Sequence, residues 1–280
     1  MKIGVNLLLW ESQMGPSAVE DIHKAAEMGF DGVEIFIDDP ANLDCAGIRA
    51  AAQEHDLGLT SCSIVGPDRH LISDDATIRQ QALDYLRAGC DVCAEIGADT
   101  FCGPLYAGVG VLAGRPRNDA EWDRAVTGLK AVAEHADGCD VTLALEPLNR
   151  FETYFINTSE DCVKLCRDID HPRAKVHLDT FHMGIEEKDI AGAVLTAGDL
   201  LWHVHCSEND RGTPGTGHTE WDEFFAALRQ VGYDRWLVIE SFVLGNEAIA
   251  KAAAIWRDIA PSGDVLAEEG LAFLKEQAAG

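Results

Sequence analysis

The chain has 280 residues, 47% hydrophobic and 25% charged, a composition typical of a globular protein with one large core rather than of a disordered or fibrous chain. Its 22 Lys and Arg against 48 Asp and Glu give a formal net charge of −26, a field that repels nucleic acids and anionic membranes. No apolar run reaches the ~20 residues of a membrane span, so we expect neither nucleic acid nor membrane as a partner.

The first predicted element is a strand rather than a signal peptide. The apolar run at the N-terminus is followed directly by an acidic residue and has no small-residue cleavage site. Similar runs of strand length recur along the chain, near-continuously hydrophobic as in strands buried on both faces of a parallel sheet. In chain order they are Lys2–Leu9, Gly32–Ile37, Leu59–Val65, Thr100–Tyr106, Val141–Leu148, Lys175–Thr180, Trp202–Ser207 and Trp236–Phe242.

Segments with apolar residues at helical spacing separate these eight runs. At three joints a glycine ends the helical pattern before the next strand, which predicts left-handed caps at Gly29, Gly97 and Gly232. Because closure removes both sheet edges, the alternation predicts an α/β fold, a (β/α)8 TIM barrel forming one domain over 1–280. Residues Ser262–Gly280 are predicted to form an extra C-terminal helix that covers an end of the barrel or an oligomer interface.

The chain has nine cysteines, an odd number in a chain too long to need disulfide bonds, which indicates a reducing cytoplasm. Cys90 and Cys93 form a CxxC pair, but they lie within a helical pattern and have no second pair at zinc-site spacing. We therefore expect them to pack as small buried hydrophobes rather than to form a redox or zinc half-site.

Four consecutive predicted strands end in a side chain that can bind metal: Glu146, Asp179, His205 and Glu240. Active sites of such barrels form at these strand ends. An apolar run would bury each carboxylate at a cost of several kcal/mol unless a cation or donors compensate. The donor set suits Mn²⁺, Co²⁺ or Mg²⁺, and zinc stays possible. The alternative is four isolated residues bonded to loop amides.

Two further histidines share the inward face of their strands. His177 and His203 each precede a predicted ligand by two residues, so they lie one layer deeper in the barrel. We interpret them as buried supporting or core residues rather than as ligands.

The chain closely resembles the D-tagatose 3-epimerase and D-allulose 3-epimerase family of ketose epimerases, which are xylose isomerase-like barrels. The motifs that carry the resemblance are Glu146-Pro-Leu-Asn-Arg-Phe-Glu-Thr153, Asp179-Thr-Phe-His-Met183, His205-Cys-Ser-Glu-Asn-Asp-Arg-Gly212 and Ile239-Glu-Ser-Phe242. The resemblance implies one divalent metal per chain, Mn²⁺ above all, bound by Glu146, Asp179, His205 and Glu240. It also implies that Glu152, His182 and Arg211 bind the sugar, and that the protein is a homodimer or homotetramer.

The chemistry that the resemblance implies is inversion of C3 in a free ketose through a cis-enediolate. Removal of a proton beside a ketone requires a positioned base and a Lewis acid for the developing oxyanion. Inversion needs two acid/base groups on opposite faces of the sugar. Glu146 and Glu240 are the candidates, since they come from the two ends of the ligand set, and the resemblance implies the same pair.

The chain departs from the family at two predicted strands. Some members present an aromatic residue where this chain has Asn6 and Leu8, and the segment Cys62–Gly66 would line the far end of the sugar. The Gly-rich segment Gly212–His218 has no lysine and no following phosphate-loop helix, so we expect a mobile or substrate-covering loop and a non-phosphorylated sugar.

Three other functions stay open at this stage. An aldose–ketose or hydroxypyruvate isomerase would use the same metal and carboxylates on C1 and C2. An endonuclease of the endonuclease IV type would need several zinc ions, more histidines and a basic face, which the charge of −26 disfavours. A catalytically silent sugar-binding barrel is the third alternative.

Overall fold

The structure is a computed structural model that describes residues 1–11, 13–15, 17–244, 251 and 253–280. Eight parallel strands form a closed barrel in which each strand pairs with its neighbours in sequence and the last pairs with the first. The strands are β1 (Lys2–Asn6), β2 (Gly32–Phe36), β3 (Gly58–Cys62), β4 (Thr100–Gly103), β5 (Thr142–Leu145), β6 (Ala174–Asp179), β7 (Leu201–Cys206) and β8 (Trp236–Ile239). The predicted (β/α)8 TIM barrel is confirmed.

Helices follow the strands and cover the outside of the barrel. They are α1 (Ser17–Met28), α2 (Cys45–Glu54), α3 (Ala76–Ile96), α4 (Asp119–Gly138), α5 (Ser159–Ile169), α6 (Thr180–Glu186), α7 (Ile190–Ala197), α8 (Trp221–Gln230) and α9 (Gly263–Ala279). Among the residues described, no helix is long and apolar enough to cross a membrane.

Local sequence signals explain where the helices begin and end. Asn118 accepts a hydrogen bond from the backbone N–H of Glu121, whose carboxylate accepts one from the N–H of Asn118, a capping box that starts α4. The three predicted glycine caps, Gly29, Gly97 and Gly232, have φ of +88°, +92° and +70°. These left-handed values confirm that prediction.

The predicted strands extend too far at their carboxyl ends. Leu7–Leu9 form a 3₁₀ helix instead of continuing β1, because Asn6 caps the backbone N–H of Leu8 with its side chain. Beyond β3, β4 and β5, the loop residues Val65, Tyr106 and Leu148 are buried although they have left the sheet. The boundaries were wrong because the apolar pattern continues into loops that pack over the barrel mouth.

The predicted C-terminal helix is present as α9, which Ser262 caps. It packs against β1, β8 and α8 on the outer wall, where the barrel closes, rather than over one end. Lys275 Nζ donates a hydrogen bond of 3.0 Å to the carbonyl of Gly29, and Lys24 pairs with Asp264 at 3.5 Å. The helix α9 therefore fills the place between α8 and α1. That residues 1–280 form one domain stays a prediction.

All nine cysteines are free thiols. Cys90 and Cys93 lie inside α3 and are fully buried. Burial raises the pKa of both thiols, that of Cys93 to about 12, so neither is a reactive thiolate at neutral pH. Their predicted role in packing is confirmed.

Candidate active site

The barrel brings the four predicted metal ligands together at the carboxyl ends of four consecutive strands. Glu146 directly follows β5, Asp179 ends β6, His205 lies near the end of β7, and Glu240 directly follows β8. Glu146, Asp179 and His205 are buried, whereas the Glu240 side chain is 15% exposed. One donor atom from each of the four lies within 4.8 Å of the others.

Two observations show that this cluster fits a divalent metal. Glu146 Oε1 and His205 Nδ1 are buried and have no hydrogen-bond partner among the residues that the structure describes. Burial and the neighbouring Glu240 raise the pKa of Glu146 well above its usual range, and burial raises the pKa of Asp179 to about 6 although Arg211 opposes it. A cation at this place would supply the missing partner for these atoms and favour the ionised carboxylates.

For the other two members, Glu240 and His205, the pKa shifts favour the charged form of the side chain. Burial opposes ionisation of Glu240, but His205 and Arg211 outweigh it and lower its pKa to about 2. Burial likewise opposes a charge on His205, but the carboxylates of Glu34 and Glu240 raise its pKa well above the usual value. Arg211 Nη1 donates to Asp179 Oδ2 at 2.6 Å and to Glu240 Oε2 at 2.8 Å, so it balances part of the negative charge.

The three predicted sugar-binding residues line one cavity of about 160 Å³ with Glu146, His205 and Glu240. The backbone N–H of Asn149 donates to His182 Nδ1 at 3.0 Å, so in the neutral ring the proton is on Nε2. Burial and Arg211 lower the pKa of His182 well below its usual value, which keeps the ring neutral. The Asn149 side chain also donates to Glu152 Oε1 at 2.8 Å, so it holds two of the three residues.

Arg211 reaches the cavity from a loop that Glu208 organises. The Glu208 carboxylate accepts hydrogen bonds from Gly215 N, Thr219 N and Trp221 Nε1 at 2.9 to 3.0 Å. Burial raises the pKa of this carboxyl, but the contacts with Thr219 and Trp221 outweigh it and bring the pKa to about 2. None of residues 212–218 lines the cavity, and Glu208 binds this segment against α8. That the segment is mobile or covers the substrate stays a prediction.

The rest of the cavity lining that the structure describes is largely apolar. Residues of the predicted departures contribute to it, since Leu8 and the segment 62–64 line the cavity, whereas Asn6 does not. At the end of β4, Gly103 has φ of +123°, and a Cβ there would lie 2.1 Å from the carbonyl oxygen of Ser63. Only glycine fits this close approach of the two strands. The apolar lining residues are Leu8, Phe36, Cys62, Ile64, Pro104, Val109, Leu148, Phe242 and Ala253.

Sequence reasoning missed Glu34, which lies in β2 and is fully buried beneath the four predicted ligands. Its Oε1 is 2.7 Å from His205 Nε2, and its Oε2 is 2.8 Å from His203 Nε2. Burial would raise the pKa of Glu34, but His205 and His203 outweigh it and hold the pKa well below the usual range. The available signal was a carboxylate in the middle of the apolar run 32–37.

The predicted deeper layer of histidines is confirmed, since His177 and His203 are both fully buried. His177 Nδ1 is 3.7 Å from Glu146 Oε2, and burial lowers the pKa of both rings. These neutral rings pack edge to face against His205 beneath the cluster.

The fold and the cluster at the strand ends define a TIM-barrel protein with a carboxylate–histidine centre that can hold one divalent metal. The family model of the xylose isomerase-like TIM barrel matches residues 22–277. The probable ketose 3-epimerase of Synechocystis sp. is 33% identical over 276 residues, covering 99% of this chain and 96% of that protein. The ketose 3-epimerase of Arthrobacter globiformis is 31% identical, with coverage of 99% and 96%.

A solved structure of a ketose 3-epimerase has the same fold as this chain. D-allulose 3-epimerase from Methylomonas sp. in complex with D-allulose has a TM-score of 0.94 and 31% identity, covering 99% of this chain and 97% of that chain. The chain belongs to the xylose isomerase-like TIM barrel family and, within it, to the ketose 3-epimerases, which are isomerases.

Proposed function

We propose that this protein inverts C3 of free ketoses of the D-tagatose, D-fructose/D-allulose or L-ribulose type with one divalent metal per chain, Mn²⁺ above all. The observation that carries the proposal is the convergence of Glu146, Asp179, His205 and Glu240, with donor atoms within 4.8 Å of one another. The relatives support the substrate class, because the homologous Methylomonas enzyme was solved with D-allulose.

These four side chains would hold the metal, with Co²⁺ and Mg²⁺ as alternatives to Mn²⁺. When bound, it would supply the Lewis acid that polarises the ketose carbonyl and makes the neighbouring C–H more acidic. Two donor atoms of the cluster, Glu146 Oε1 and His205 Nδ1, are buried and find no partner within the described part of the chain, which supports the assignment.

Glu146 and Glu240 are the proposed acid/base pair. One carboxylate takes the proton from C3, and the electron pair of the broken C–H bond forms the cis-enediolate of the sugar. The other, starting as a carboxylic acid, gives a proton to C3 on the opposite face, so the two groups exchange protonation states in each turnover. Both side chains line the same cavity, which supports their access to one substrate carbon.

Glu152, His182 and Arg211 are proposed to bind the hydroxyl and carbonyl oxygens near C1 and C2. His182 Nε2 and Arg211 Nη2 lie 3.1 Å apart. Because His182 Nδ1 accepts from the Asn149 N–H, the neutral ring carries its proton on Nε2 and donates from there. Arg211 Nη2 is also a donor, so the two neighbouring nitrogens are both donors. A substrate oxygen between them would supply the acceptor that this pair lacks.

The experiment is incubation of metal-depleted and Mn²⁺-reloaded protein with D-fructose, D-tagatose and L-ribulose in D₂O, with products and deuteration followed by NMR. We expect C3 epimers carrying deuterium at C3, formed only with metal. Aldoses or exchange at C1 would indicate an isomerase acting on C1 and C2. Equal turnover without metal would overturn the metal assignment, and no turnover would leave a sugar-binding barrel.

We also propose a homodimer or homotetramer in a reducing cytoplasm. The free state of all nine cysteines supports the compartment, and the family resemblance supports the oligomer. Light scattering coupled to size-exclusion chromatography would give the mass, and a monomer of 30.3 kDa would contradict the oligomer.

A further inference from the structure

Glu34 lies outside the proposed ligand set and has no role in the chemistry described so far. It is the charged residue of β2, its side chain is 0% exposed, and it lies directly beneath the cluster at the mouth. A carboxylate at such a place costs several kcal/mol unless its oxygens are fully hydrogen-bonded. The groups that donate hydrogen bonds to the carboxylate oxygens of Glu34 therefore indicate what this residue does.

The neighbours of Glu34 can all act as donors to it. Oε1 accepts from Asn6 Nδ2 at 2.9 Å and contacts His205 Nε2 at 2.7 Å. Oε2 accepts from Thr60 Oγ1 at 3.0 Å and from Cys102 Sγ at 3.3 Å. Residues from β1, β3, β4 and β7 thus hold the carboxylate in place, and an ionised carboxyl, which only accepts, matches these groups.

The contact with His205 decides which ring nitrogen faces the mouth. Because Nε2 is occupied by Glu34, the other nitrogen, Nδ1, points toward Glu240, 3.3 Å from its Oε2. Nδ1 forms no hydrogen bond with any residue that the structure describes. A histidine that binds metal through one nitrogen commonly donates the proton of the other to a carboxylate, which fixes the ring and raises its basicity.

We propose that Glu34 is a positioning residue that fixes the ring of His205 so that Nδ1 is presented to the metal. This rests on the proposed function, since it assumes that His205 is a ligand. Glu34 itself does not contact substrate or metal. Packing against His177 and His203 is the competing explanation for the ring orientation, since both rings contact His205 edge to face.

A second competing explanation makes Glu34 itself a ligand. Glu34, Cys102, His203 and His205 also place donor atoms within 4.8 Å of one another, so a second ion could bind in this deeper layer. The donor contacts to Glu34 are satisfied without one, and we therefore assign the hydrogen-bonded role. The number of bound ions separates the two explanations.

The first test is Mn²⁺ titration of the metal-depleted protein by calorimetry, for the unaltered chain, Glu34→Gln and the control Thr60→Val. Glutamine has the same shape but loses the charge and places an N–H2 group against donors. We expect one ion per chain and about a tenfold to hundredfold loss of Mn²⁺ affinity in Glu34→Gln. Thr60→Val removes a donor from Oε2 only, so we expect a loss of less than about threefold.

A second readout is taken on the unaltered protein, and the variant His205→Gln serves only to assign the signal. In the Co²⁺-loaded enzyme, a ligand histidine bound through Nδ1 keeps its Nε2 proton, which gives a strongly shifted exchangeable NMR signal. We expect one such signal, slow to exchange because Glu34 accepts the proton, and lost in His205→Gln.

The outcomes separate failure of this inference from failure of the proposed function. Equal Mn²⁺ affinity in Glu34→Gln and the unaltered chain, two ions per chain, or no protected Nε2 proton would each overturn the role of Glu34 while leaving the metal enzyme intact. No binding of Mn²⁺ or Co²⁺ by the unaltered chain would overturn both.

Discussion

The two halves of the barrel differ in their chemistry. Strands β5 to β8 supply Glu146, Asp179, His205 and Glu240, whereas β1 to β4 and their loops supply most of the apolar wall of the cavity. Glu34 extends from the apolar half to support His205. The proposed reacting groups therefore all come from one half of the barrel, and the apolar lining from the other half could vary without altering them.

The largest expected effect comes from removing an acid/base group in the β5–β8 half. Glu146→Gln and Glu240→Gln should each lower the rate of C3 inversion by about 10² to 10⁴ at saturating Mn²⁺, because amides neither take nor give the proton. The measurement is epimer formation by NMR with D-tagatose. Glu160→Gln, at an exposed position on α5, is the control and should leave the rate unchanged. Full activity in either active-site variant would remove that residue from the pair.

The second prediction concerns the hydrogen bonds of Glu208 that hold the loop between β7 and α8 in the same half of the barrel. The pKa of Glu208 is about 2 in the folded protein, below the ordinary 4.5, so its stabilisation is present above pH 4.5 and lost as the pH falls through about 2. This stabilisation amounts to up to about 3 kcal/mol. Glu208→Gln should therefore unfold more easily at pH 6, and the difference should shrink toward pH 2. Urea unfolding at several pH values measures it, and a difference independent of pH would contradict the assignment.

The third effect is on substrate binding. His182→Gln should raise KM by about threefold to tenfold, because one hydrogen bond to a sugar oxygen is lost. Steady-state kinetics with D-tagatose give KM and kcat separately. His218→Gln changes an exposed histidine outside the cavity and serves as the control. An unchanged KM in His182→Gln would show that the ring does not contact the sugar.

The smallest effect concerns the apolar half. Ile64 lines the cavity and is 42% exposed, so Ile64→Ala should change the ratio of kcat/KM between D-fructose and L-ribulose by a few-fold with little loss of stability. Leu195, 41% exposed on α7 and outside the cavity, is the matched control. Equal ratios in both alanine variants would mean that this wall does not select the substrate.

The sequence predicted the position of a residue correctly where a physical rule relates the apolar pattern to a position in the fold. Parallel strands end at one edge of the barrel, so the strand pattern alone is enough to predict that Glu146 and Asp179 meet. Glu34 was missed because it lies inside a strand, and only the closed barrel brings β2 across to β7. The role of Glu208 in holding the Gly212–His218 loop was not predicted, because Glu208 precedes the loop in a motif that gives no hint of this contact.

The closure of the barrel has a consequence for how the chain acquires its structure during synthesis. Strand β1 precedes the other seven strands, yet one of its two edges pairs only with β8, and α9, which covers that joint, follows β8 in the chain. Until then an apolar strand edge is open to other chains, which is a hazard for aggregation. The ring can therefore close only once β8 has been made, so deletion of α9 should reduce soluble yield before it alters catalysis.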